Sequence, residues 1–241
     1  MTTTYSSDFV DDVMPPKAGK KAKNVHYDKC PLILLLDESG SMRGESIKQL
    51  NKGVKKLKQK LMDDEEAKKT VEISIIHVKG NKPYVDKQTD FSSVEEFNVN
   101  QLSASGRTPI RQALELAVEK VSQRKKYLRQ EGTNYYRPWL ILITDGVPTD
   151  LNGKGNELKA LIQEQIKGKH LLPWAFGTDN ADMDFLKEIF SKERTFKLSN
   201  NRFDSIFEWV SNSMGVVSSS ARGEKTNVPN PGNLPGISVE V

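Results

Sequence analysis

Cysteine is all but missing from this sequence. Cys30 is the single one in 241 residues, so no intrachain disulfide can form, and a reducing compartment suits the chain. Histidine is scarce as well. His26, His77 and His170 are spread apart with no metal-ligand spacing between them, which points away from zinc-type sites and toward structural or surface roles. Long apolar runs are lacking: none approaches the roughly 20 residues of a membrane-crossing helix. The opening residues, 1–10, have no basic start ahead of an apolar stretch, so no secretory leader is expected and the expected location is the cytoplasm. Charge of one sign is not in large excess either, the net being +4. The lysines of 48–60 are followed at once by Asp63, Asp64, Glu65 and Glu66, and no aromatics interleave with them as base-stacking platforms would require, so solvated helix faces are the expectation and nucleic acid is not an expected partner.

What is present suits a soluble domain with a real core, 36% hydrophobic and 28% charged. Leu32–Leu36 is an apolar run without polar alternation, the pattern of a strand buried on both faces of a parallel sheet. Ile47, Leu50, Val54, Leu57 and Leu61 form one stripe of an amphipathic helix. Val71–Val78 reads as a β-branched strand, and Tyr84–Thr89 as a polar edge strand joined to it by a hairpin. A helix opens near Pro109 and carries Ile110, Leu114, Ala117, Val118 and Val121 inward. Trp139–Thr144, His170–Phe176 and Thr195–Leu198 are further strands, alternating with helices over Leu158–Ile166, Met183–Phe190 and a final stretch from Phe203 to Met214. Trp139, Trp174 and Trp209 read as core or core-edge residues. Residues 1–27 read as a flexible arm, 28–217 as one domain, and 218–241, rich in Pro, Gly and Ser, as a flexible tail. The alternation predicts an α/β, doubly wound sheet with helices on both faces, whose ligand site lies beyond the carboxyl ends of its strands.

Two apolar strands end there in aspartate, at Asp37 and Asp145. The first loop adds Ser39 and Ser41, and a Ser/Gly-rich loop before a helix brings Thr108. Each loop alone has an ordinary explanation: Asp, Ser and Thr cap helices, and Asp-Gly makes turns. Together they are hard oxygen groups of the kind a small divalent cation prefers. Gly153-Lys154-Gly155 lacks the remainder of a phosphate loop, and Glu38-Ser39-Gly40 is not a nucleophile elbow. No nucleophile with a paired base is recognisable near the loops.

Asp37-Glu38-Ser39-Gly40-Ser41 resembles the Asp-x-Ser-x-Ser of von Willebrand factor A (VWA) domains. Ser105-Gly106-Arg107-Thr108-Pro109 is similar to their second, threonine-bearing loop, and Ile143-Thr144-Asp145-Gly146 to their third. The segments from Leu102 to Pro109 and from Leu140 to Asp150, and the close near Phe207-Glu208-Trp209-Val210, further resemble bacterial cytoplasmic TerY-type proteins of tellurite-resistance and related stress loci. The resemblance covers about residues 30–215. It implies a Rossmann-like fold, six strands in the order 3-2-1-4-5-6 with one antiparallel edge strand. It also implies a metal-ion-dependent adhesion site with Asp37, Ser39, Ser41, Thr108 and Asp145 around Mg²⁺, or Mn²⁺. A partner's Glu or Asp would complete the shell; Arg107, where the family often has a small residue, is placed to help receive it. The implied role is a non-enzymatic adaptor whose partners include kinase- or phosphatase-like proteins of the same locus. The rival readings are a Mg²⁺-dependent hydrolase or phosphotransferase on the same loops, and a basic nucleic-acid-associated accessory protein.

Overall fold

The computed structural model describes residues 19–199, 202–220 and 228–238. The central strand, β1 (Cys30–Asp37), is buried at every position. It lies parallel to β2 (Val71–Val78) on one side and to β5 (Trp139–Thr144) on the other. Parallel strands β6 (Leu172–Thr178) and β7 (Thr195–Leu198) follow outward from β5. Short antiparallel strands β3 (Tyr84–Val85) and β4 (Ser92–Ser93) pair with β2, and β8 (Ile237–Ser238) with β7. The order is β3-β2-β1-β5-β6-β7-β8, with β4 off this path. The six expected strands therefore keep their expected order, and two two-residue antiparallel strands are added to them.

The apolar run of β1 is explained by the two layers. Leu32, Leu34 and Leu36 join the core under α1 (Glu45–Asp63) and α6 (Phe203–Ser218). Ile33 and Leu35 join the other core, under α3 (Ile110–Gln130), α4 (Gly155–Lys167) and α5 (Met183–Phe190). Side chains of a strand alternate between faces, so a strand covered on both needs apolar residues at every position.

Several boundaries differ from the sequence reading. The polar strand expected over Tyr84–Thr89 stops at Val85, and a 3₁₀ turn over Lys87–Thr89 follows, its start capped by Asp86. A separate short helix, α2 (Glu65–Thr70), follows α1, because Asp64 accepts from the amides of Glu66 and Ala67 and starts a new helix. The sixth strand begins at Leu172 rather than His170 and runs through Gly177. The expected arm lies outside the described residues up to residue 18; of its remainder, Ala22 is buried and donates its amide to the Tyr127 hydroxyl. The expected flexible tail needs correction for residues 228–238. They fold back on α6, Trp209 Nε1 donating to the Pro229 carbonyl at 2.7 Å and Ser205 Oγ to that of Pro235. Trp139, Trp174 and Trp209 pack together with ring centroids 5.3–6.1 Å apart.

The Arg124–Glu72 ion pair is fully buried. Arg124 donates to Glu72 through Nε (2.9 Å) and Nη2 (2.6 Å), and its guanidinium lies over the rings of Phe91 and Tyr127. Glu72→Ala leaves that guanidinium buried without its counter-ion and is expected to destabilise by about 3–5 kcal/mol in urea unfolding, whereas Glu72→Leu combined with Arg124→Met loses far less. Gly53 is where α1 meets α6: a Cβ there would come within 2.3 Å of Phe207 Cδ2. Gly53→Ala is therefore expected to lower the melting temperature, against the gain of about 1 kcal/mol that helix propensity alone would give. A higher melting temperature would show that Phe207 gives way easily.

Candidate functional site

The site forms where three loops leave the carboxyl ends of β1 and β5 and the start of α3. Its first loop turns sharply because Asp37 Oδ1 accepts the Ser39 amide at 2.8 Å. This loop is tied to the second by backbone: Gly40 N donates to Gly106 O (3.0 Å) and Ser105 N to Glu38 O (2.7 Å). The third is tied to the second through Thr149, whose amide donates to Thr108 O and whose hydroxyl accepts the Thr108 amide.

On that frame the five expected residues converge. Ser39 Oγ and Ser41 Oγ are 2.9 Å apart, and Ser41 Oγ donates to Asp145 Oδ1 at 2.7 Å. Thr108 Oγ1 and Asp37 Oδ2 flank one small space above Gly146. A Cβ added at Gly146 would lie 3.1 Å from the first and 3.4 Å from the second. Asp37, Ser39, Thr108 and Asp145 are buried and Ser41 is exposed, so the cluster opens outward at Ser41. The ordinary capping roles do not hold here. Ser39 makes no side-chain cap to the short 3₁₀ turn after it. The first amides of α3 are capped from the third loop, by Asp150, whose carboxylate accepts from Arg111 N (3.0 Å) and Gln112 N (2.8 Å). The Thr108 hydroxyl is thus left for the cluster.

Sequence reading missed the supports. Thr144 Oγ1 donates to Asp37 Oδ2 at 2.5 Å and accepts the Gly146 amide. Glu38, the variable position of the first loop, is wholly buried. Its carboxylate takes hydrogen bonds from His77 Nδ1, Lys79 Nζ (2.8 Å) and the Ser103 amide (3.1 Å), which anchors the first loop to β2 and the second loop. Burial pushes the Glu38 carboxyl up, but the bonds from His77 and Lys79 outweigh it and hold it below its usual range. The only signal in sequence was a Glu just after an apolar run, and the pairing of β1 with β2, which sets Leu36 opposite His77, is needed to use it.

Asp37 and Asp145 differ from Glu38 in having no basic side chain among the described residues to compensate them. Burial pushes Asp37 up to about 6, only partly offset by bonds from Thr144 and Ser39 and reinforced by Asp145 nearby. Burial raises Asp145 too, against the bond from Ser41. Among the described residues no three His, Cys, Asp or Glu come together as a metal site. The cluster instead offers two carboxylates and three hydroxyls. That donor set fits a hard divalent cation, and Gly146, having no side chain, leaves the approach to Thr108 Oγ1 and Asp37 Oδ2 unobstructed. A carboxyl raised in the folded state binds its proton more tightly there than in the unfolded chain. The resulting penalty on stability is absent below about pH 4 and complete above about pH 6, amounting to about 3 kcal/mol. In metal-free buffer Asp37→Asn is therefore expected to stabilise the fold at pH 7 and to confer no gain at pH 4, as read by denaturant unfolding at the two pH values.

Comparison with known proteins bears on the family and the fold. The family profile described as von Willebrand factor type A domain matches residues 32–209. No match is found among curated proteins. Among solved structures, the vWF domain of the type V pili tip protein Mfa5 from Porphyromonas gingivalis is similar, with a TM-score of 0.56 at 12% identity, over 83% of this chain and 99% of that one. The SpRpn10 VWA domain gives a TM-score of 0.54 at 11% identity, over 76% and 95%. Proximal thread matrix protein 1 from the mussel byssus gives 0.55 at 15% identity over 78% of this chain, which spans only 48% of that protein. At these identities the likeness is one of fold. With its profile matched over most of its length, the chain belongs to the von Willebrand factor type A domain family.

Proposed function

We propose that this domain binds protein partners through a divalent cation, Mg²⁺ or in its place Mn²⁺, held by Asp37, Ser39, Ser41, Thr108 and Asp145. Domains of this family are generally protein-interaction modules, which supports the reading at its coarsest. The observation that carries the finer reading is the chain of hydroxyls from Ser39 through Ser41 to Asp145, set beside two buried carboxylates that have no basic partner among the described residues. The cation would supply that missing positive charge and, with neutral hydroxyls among its ligands, would remain electrophilic toward a Glu or Asp from outside.

The surroundings suit an acidic partner. Arg107 stands exposed next to Thr108 in the second loop, and Val147 stands exposed two residues after Asp145 in the third, a cation and an apolar side chain on the loops that carry the cluster. Binding rather than catalysis is favoured because the Ser39 and Ser41 hydroxyls bond each other and Asp145. The nearby histidine, His77, is engaged by Glu38 instead. A cytoplasmic adaptor of a stress locus, as the loop sequences suggest, is the setting we favour; that part rests on sequence resemblance alone.

Titration with MgCl₂ is expected to raise the melting temperature of the wild type, by the equivalent of about 2.7 kcal/mol at a hundredfold excess over the dissociation constant. Ser39→Ala/Ser41→Ala and Gly146→Ala are each expected to abolish that rise while remaining folded. A pull-down from native lysate in Mg²⁺ and in EDTA then reads the partner. Equal capture in both buffers and by the double variant would overturn the proposal, as would the absence of any Mg²⁺ effect on melting.

A further inference from the structure

The opposite edge of the sheet carries a second concavity, a cleft of about 680 Å³ between the far halves of α3 and α4. It opens beside Pro138 and His170, which precede β5 and β6, so it lies at the amino ends of the strands and away from the loops of Asp37 and Asp145. Four cations line it: Lys125 and Arg129 from α3, Arg137 from the connection to β5, and Lys169 from the turn after α4. Against them stands one acid, Glu164. Among the described residues none of the four cations forms an ion pair with a carboxylate. Lys125 Nζ donates to the His170 carbonyl (3.4 Å), and Arg129 Nη1 to the Tyr135 hydroxyl (2.7 Å).

Among the described residues, Glu164 is the one acid set against this concentration of positive charge. Burial lowers the Lys125 pKa and the charge of Arg129 lowers it further. Arg194, stacked over Trp174, is lowered by burial and then by Arg137. Lys169 also sits in the left-handed region, with φ +55°, at the helix end where glycine is the unstrained choice, so a charged side chain is kept there against a backbone penalty. Val118, Val121 and Pro138 give the cleft an apolar wall. The volume falls within the range of small-molecule sites, and a concave cleft fits a compact ligand better than a flat membrane or an extended strand.

We propose that this cleft binds a small polyphosphate-bearing molecule of nucleotide size, its phosphates held by Lys125, Arg129, Arg137 and Lys169 and its organic part against the apolar wall. Guanidinium forks and ammonium groups converging from three segments are the usual means of holding phosphate oxygens. The site is independent of any cation at Asp37 and Asp145.

Isothermal titration in EDTA, with sodium tripolyphosphate and with ATP, tests this without contribution from a metal site. Both probes are expected to bind the wild type at a single site, ATP the tighter if the apolar wall is used. Arg137→Gln/Lys169→Gln is expected to weaken binding about tenfold or more, while Lys52→Gln/Lys55→Gln, on the exposed face of α1, leaves it unchanged. Lys169→Gly separates charge from folding: it is expected to raise the melting temperature by relieving the left-handed residue and still to weaken binding. No saturable binding of either probe would overturn the proposal. So would equal weakening by the α1 variant, or binding seen only with a single-stranded oligonucleotide, which would mark the cleft as part of a diffuse polyanion surface.

Discussion

The burial of β1 on both faces is the constraint on which the rest depends. A strand enclosed by two layers can change from apolar to polar only where it leaves the sheet, and this one leaves at Asp37. Register then does the positioning. Leu36 stands opposite Ile143, so the next residues, Asp37 and Thr144, fall side by side and form the bond that fixes the carboxylate. On the other side, Leu36 opposite His77 leaves Glu38 within reach of the His77 ring, and the first loop is locked to β2. Three loops distant in sequence thus meet because one strand is central.

That geometry explains carboxylates in two contrasting states. Glu38 is buried with compensating donors and serves as an anchor. Asp37 and Asp145 are buried with no cationic side chain beside them among the described residues, and the fold bears the cost of their charge. Stability is given up at the rim and recovered beneath it, where the doubly bonded Arg124–Glu72 pair and the Trp139, Trp174 and Trp209 cluster are enclosed. Such a division is expected where a site must stay ready for something outside the chain.

Much of this was legible in the sequence because the signals were local. An unalternating Leu32–Leu36 marks a doubly covered strand, and Asp37, Ser39, Ser41, Thr108 and Asp145 stand at strand and helix ends in an order that can be read directly. What was not legible depends on pairing between distant segments. Asp150 caps α3 from another loop and so releases Thr108, a role no local pattern announces. Thr144 looked like the end of a strand until register set it beside Asp37. Residues 228–238 look like a linker by composition, since Pro229, Pro231 and Pro235 lie among Gly and Asn; they are fixed by Trp209 and by β7, about which composition is silent. The start of α2 was masked by a run of four acids, of which only Asp64 acts as a cap.

The docking of β8 has a consequence for solubility and for engineering. β7 would otherwise be the last strand of a largely parallel sheet, with a row of open amides and carbonyls available to any passing chain. β8 pairs Lys197 with Ser238 and Leu198 with Ile237, while β3 and β4 occupy the outer side of β2, so each end of the sheet finishes in a short antiparallel piece that offers little for another strand to extend. A shortened chain that stops before residue 228 would keep every residue of the three-loop cluster and yet lose this protection. Its likeness to the full domain in spectroscopy would conceal a template for self-association, and the C-terminal segment is better regarded as part of the domain's guard against aggregation than as an appendage.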